Sequence, residues 1–170
     1  HQRSKGRAMI FDLPTFTLIH TVLSLVGIIA GLIVVGGLMA GQRFGGWTAA
    51  YLFTTVLTNV TGFFFPFSKV LPSHIVGVIS LVVLVIAIAA RYWKHLAGAW
   101  RTVFVVTAVL ALYLNVFVLV VQLFQKFPIL AALAPTQSEP AFVMTQGFVL
   151  LLFVGIGWAA VRGFRNERAA

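Results

Sequence analysis

Two histidines sit in apolar settings, His20 in "TLIHTVLS" and His74 in "PSHIVGV". An imidazole there can ligate a metal, carry a proton or hydrogen-bond through either ring nitrogen. The other groups able to do chemistry are mostly neutral: Asn59, Thr61, Asn115, Gln122 and Gln146, with Glu139 as the one acid able to join them. Two histidines facing each other across a helical bundle can hold haem iron axially. The same pair with the amides can instead line a vestibule for a small polar solute or a quinone headgroup, closed by Phe63, Phe64, Phe65 and Tyr113. Two histidines fall short of a three- or four-ligand zinc or copper site unless Glu139 adds to them. His95, beside Trp93 and Lys94, reads as an interfacial residue without special chemistry.

The composition names the solvent in which these groups work. The 170 residues are 61% hydrophobic and 9% charged, and the mean hydropathy is +1.05. Such a chain lacks the charge density of a water-facing surface and belongs in a bilayer. The intervals 13–42, 44–68, 70–90, 102–125 and 140–161 carry no Asp, Glu, Lys or Arg. Since about 20 apolar residues in a helix cross the hydrocarbon core, the expected fold is all-α and integral to the membrane, a bundle of five transmembrane helices. Breakers and caps put these helices near 15–40, 47–67, 73–93, 99–125 and 141–162. Ser73 is expected to cap the third. The long connection, 126–140, is expected to hold a short interfacial helix and a polar turn.

The organisation is an N-terminal arm at 1–14, a transmembrane domain at 15–163 and a basic tail at 164–170. The stretch ahead of Met9 is weighed with caution, since a native start or an added tag accounts for it equally well. The first apolar run is too long for a cleaved leader, so no signal peptide is expected. Arg43, Arg91, Lys94, Arg101, Arg162, Arg165 and Arg168 fall on one side of a five-span layout. The positive-inside rule then puts the C-terminus in the cytoplasm and the N-terminus outside. The net charge of +9 is thus a topology signal. With no basic stripe interleaved with aromatics, nucleic acid is not an expected partner; the lipid bilayer is, as is a homo-oligomer or a larger membrane complex. The absence of cysteine removes disulfides and thiolate sites.

In that layout the polar side chains gather in the outer half of the membrane, where the cost of facing lipid turns them inward. His20, Ser24, Gly27 and Gly31 form one helical stripe, as do Thr54, Thr58, Thr61 and Phe65. The GxxxG from Gly27 to Gly31 is expected to pack helices within the chain.

The segments "FTLIHTVLSLVGIIAGLIVVGGLMAG", "TNVTGFFFPF" and "PSHIVGVISL" resemble small uncharacterised bacterial inner-membrane proteins. Their layout is distantly similar to the cytochrome b561-like group, covering about the first half of the chain. That resemblance implies one haem b between His20 and His74 serving electron transfer, with Gly27 and Gly77 leaving room for the macrocycle. It departs from a two-haem pattern because His95 has no partner. The alternatives are a transport or solute- or quinone-binding protein without cofactor, and a structural subunit of a larger complex. No nucleotide loop, carboxylate pair or serine-histidine-acid set suggests other enzyme chemistry.

Overall fold

The computed structural model describes residues 13–65 and 72–166, and these are helical with no strand among them. In chain order they form α1 (Leu13–Met39), α2 (Gly45–Gly62), α3 (Pro72–Ile88), α4 (Trp100–Lys126), the short α5 (Pro128–Leu133) and α6 (Pro140–Asn166). The end of α3 runs on into a π-helical turn, Ala89–Trp93.

Four helical segments are long and apolar enough to cross a membrane: Pro14–Met39, Ser73–Trp93, Trp100–Lys126 and Pro140–Arg165. Their outward faces carry exposed Leu18, Val22, Ile29 and Leu32 on α1, Ile75, Val78, Val82 and Val85 on α3, and Met144, Phe148, Leu151 and Val154 on α6. Apolar faces of this extent suit lipid. The fifth expected span is not among the four. α2 is 18 residues long, about 27 Å at 1.5 Å per residue, and five threonines and Asn59 dilute its apolar character. Its polar groups are largely satisfied within the helix. Thr54, Thr58 and Thr61 donate to the carbonyls of Ala50, Thr54 and Leu57, and the Asn59 amide donates to Thr55 O, which lowers the cost of apolar surroundings.

α2 runs antiparallel along α1. At one end the Phe44 ring lies against Gly37; at the other Phe65 packs on Phe16 with ring centroids 4.9 Å apart. Between them the helices approach closely. A Cβ on Gly27 would stand 3.2 Å from Thr54 Oγ1, and one on Gly31 would meet Leu112 Cδ1 at 2.7 Å and Tyr51 Cε2 at 2.8 Å. The GxxxG thus docks α1 on α2 and α4 inside the chain. Fully buried Tyr51 donates its hydroxyl to Ala108 O on α4 at 2.8 Å. The core around it is Val34, Leu38, Leu84, Phe104, Leu112 and Phe164.

Two boundaries differ from expectation, and one corner is strained. α2 stops at Gly62 instead of 67, because Phe63 and Phe64 turn back with i→i−3 bonds to Val60 O and Thr61 O; residues 66–71 lie outside the described ones. α3 begins at Pro72, so Ser73 is in the first turn and is not its cap, in keeping with proline's preset φ at a helix start. The π turn ends in a strained corner in which His95 and Leu96 take φ of 48° and 57° while the Leu96 side chain is buried.

Among the described residues the two ends of the bundle differ in charge. At one, Arg43 and Arg101 both lie over the Phe164 ring, at 5.7 and 4.9 Å, Arg91 over Phe104 at 5.6 Å and Arg162 over Trp158 at 4.1 Å. The other end holds Lys126, the α2 terminus and the start of α3.

Candidate functional site

At the end away from the arginines, α1, α2, α3 and α4 enclose a cavity of ≈ 550 Å³, within the range of small-ligand pockets. Helical rise sorts its lining by depth. Along α4 it passes from Lys126 through Gln122 and Leu119 to Asn115, about 16 Å of helix axis. The mouth holds Lys126, Phe127, Thr17, Ser73 and Phe65, the middle His20, His74, Gln122, Gly62 and Phe63, and the floor Ser24, Thr58, Asn59, Ser80 and Asn115.

His20 Nδ1 lies 2.8 Å from Thr61 Oγ1. The Thr61 hydroxyl proton goes to Leu57 O at 2.7 Å, so toward the ring this oxygen is an acceptor. The proton of His20 is therefore assigned to Nδ1, and Nε2 keeps a lone pair that meets no hydrogen-bond donor among the described residues. The ring stands edge-on to Phe65 with centroids 5.1 Å apart. His74, one helix away, lies beside the Phe63 ring at 6.0 Å.

Of the residues singled out in the sequence, His20, His74, Asn59, Asn115 and Gln122 line this one cavity. Thr61 stands behind His20 as its hydrogen-bond partner. Gln146 is not in the lining: buried on α6, it donates to Phe117 O at 3.1 Å and ties α6 to α4. Glu139 is also elsewhere. Its carboxylate accepts from the Thr136 hydroxyl at 2.8 Å and from the Thr136 and Ser138 amides at 3.1 Å, while its carbonyl accepts from the Phe142 and Val143 amides. Partial burial pushes this carboxyl up, but the Thr136 hydroxyl and the amides of Glu139, Thr136 and Ser138 outweigh that and hold it below its ordinary value. Tyr113 does not close the vestibule; it packs on Phe117 and Phe153.

Sequence reasoning missed Ser80. Its side chain is 1% exposed, its residue lines the floor, and its hydroxyl has no hydrogen-bond partner among the described residues. Lys126 and Phe127, also missed, were visible only as the end of a helix.

The donor set bears on haem in two directions. His20, with Nδ1–H already donated, has the arrangement of an axial ligand. Against that, Gly27 is spent on packing against Thr54 and Thr55, and Gly77 lies 3.2 Å, measured from a built Cβ, from the Phe63 ring, so neither opens space for a macrocycle. Among the described residues no three His, Asp or Glu side chains come together to hold a metal ion.

No family model matches the chain, and no curated protein or solved structure matches it either. Fold and site therefore define the class by themselves: an all-helical bundle with four helices of membrane-crossing length and apolarity, holding a mostly apolar cavity with convergent imidazole, amide and hydroxyl groups.

Proposed function

We propose that this is a multi-pass integral membrane protein that binds a small, lipid-soluble ligand inside the bundle. The observation that carries the reading is the meeting of His20, His74, Asn59, Asn115 and Gln122, from four helices, on one cavity. The Gln122 side chain and the Asn115 Oδ1 make no hydrogen bond among the described residues, and unspent polar groups in a concave apolar site are what a ligand satisfies. α2 acts as a fifth span, packed against α1 and α3 with Trp47, Phe53 and Val60 on its exposed face. The protein lies in a bacterial inner membrane with the arginine-rich end in the cytoplasm and the cavity mouth toward the outside. That orientation draws support from the gathering of Arg43, Arg91, Arg101 and Arg162 at one end.

A second reading, a b-type cytochrome with His20 and His74 as axial ligands, is favoured by the bond from His20 to Thr61; a haem bound there would supply one-electron transfer. An absorption spectrum of purified protein from haem-replete cells, with and without dithionite, separates the two. Low-spin bands lost in both His20→Ala and His74→Ala but kept in His95→Ala establish the cytochrome. A colourless protein removes it. For the ligand-binding reading, Asn115→Leu and Gln122→Leu are expected to lose ligand affinity while thermal stability holds. Loss of stability in both, without a change in affinity, assigns these amides to helix packing and leaves a structural subunit.

A further inference from the structure

Six threonines in this bundle share one habit. Thr21, Thr54, Thr58, Thr61, Thr107 and Thr145 each return their hydroxyl proton to the carbonyl four residues back, at 2.7–2.8 Å. A hydroxyl in an apolar helix commonly does this, because the alternative is a desolvated donor. Ser80 departs from the habit: it is 1% exposed, and its Oγ donates to nothing among the described residues. Across the floor, Asn115 is 7% exposed, and its one bond, to Thr55 Oγ1, is stretched to 3.5 Å, where such bonds weaken steeply. The deepest wall of the cavity therefore holds two polar side chains whose capacity is unspent. About 9 Å further out along α3, six residues at 1.5 Å each, stands His74, with His20 on the facing helix.

Resting on the ligand-binding reading above, we infer that the cavity's ligand is a quinone-type headgroup, one flat ring whose leading oxygen accepts from Ser80 and Asn115 and whose trailing oxygen meets the imidazole layer, where a ring N–H of His74 can donate to it and the lone pair of His20 Nε2 can accept from its reduced, hydroxylated form. The largely apolar wall suits the ring faces. Oxygen atoms at opposite edges match polar groups at two depths, with Phe63 between them. The mouth, with Phe65 and Phe127, is where an isoprenoid tail leaves for the lipid.

The test is equilibrium dialysis of a tail-less dimethoxy-methyl-benzoquinone against the detergent-purified wild-type protein and the variants Ser80→Ala and His20→Ala, each with a melting curve in the absence of ligand. Wild type is expected to bind. Ser80→Ala is expected to weaken binding roughly tenfold, the effect of one lost hydrogen bond at the top of its usual range. Its ligand-free melting temperature is expected to stay level or rise, because an unsatisfied buried hydroxyl has been removed. Binding by Ser80→Ala equal to wild type, with His20→Ala weakened, overturns the assignment of the floor and leaves the cavity reading standing. A drop in the ligand-free melting temperature of Ser80→Ala, with affinity unchanged, makes the serine structural and overturns it too. Failure of wild type to bind overturns the quinone class. If the haem bands are then absent and Asn115→Leu changes only stability, the ligand-binding reading fails with it.

Discussion

Thr61 shows how a neutral side chain orients an imidazole. Its hydroxyl spends its proton on Leu57 O and offers His20 only a lone pair. Thr61→Val is expected to cost about 1 kcal/mol of stability and to weaken whatever binds His20, while Thr61→Ser restores both. Thermal unfolding reads the first, and nitrogen chemical shifts of the His20 ring read the loss of the fixed tautomer. Glu139 yields a pH dependence of the opposite kind, outside the apolar spans. Its carboxyl is held below its ordinary value in the folded protein, so its contribution is complete above the unfolded value and is lost as pH falls through the lower folded one. Amide exchange at Thr136 and Ser138 is expected to accelerate across that acid window and to be fast at all pH in Glu139→Gln. The two histidines and the amides were legible in the sequence as costly residues in an apolar chain. Ser80 was not, since a serine in a helix reads as bonded to its own backbone until the rotamer is known. Glu139 was counted as able to join the histidines, because an acid's place in the sequence says nothing of the bonds that hold it within its own turn.

Among the elements, α1 packs on α2, α4 and α6. Its small residues set how near α2 and α6 can come. Gly31→Val pushes a side chain into Tyr51 and Leu112 and is expected to cost about 2 kcal/mol, typical of overpacking, whereas Gly36→Ala, whose Cβ would meet nothing within 4 Å, is expected to be neutral. Gly163 on α6 is more demanding, because a Cβ there runs into the Met39 carbonyl itself, and backbone yields less readily than a side chain. Gly163→Ala is expected to loosen α6 from α1, read as a lowered melting temperature and faster proteolysis at the arginine-rich end. Four apolar helices could be read directly from charge-free intervals. α2 could not be ranked with them, because hydropathy counts five threonines as polar whether or not their hydroxyls are tied back, and its end at Gly62 depends on a turn by Phe63 and Phe64 that no breaker signals.

For the whole molecule, the arrangement of ends gives a labelling prediction. Ala97 and Ser138 are exposed and lie in the connections at opposite ends of α4. In intact cells, a membrane-impermeant maleimide is expected to reach Ser138→Cys directly and Ala97→Cys only after permeabilisation; the reverse pattern inverts the orientation, and equal access means that α4 does not cross. Beneath the cavity floor the bundle is solid: Tyr51, Leu84, Phe104 and Leu112 are 0% exposed and fill the space between the floor and the arginine-rich end. The chamber is a cul-de-sac. Among the described residues, the floor gives onto packed side chains and not onto a passage toward the arginine-rich end.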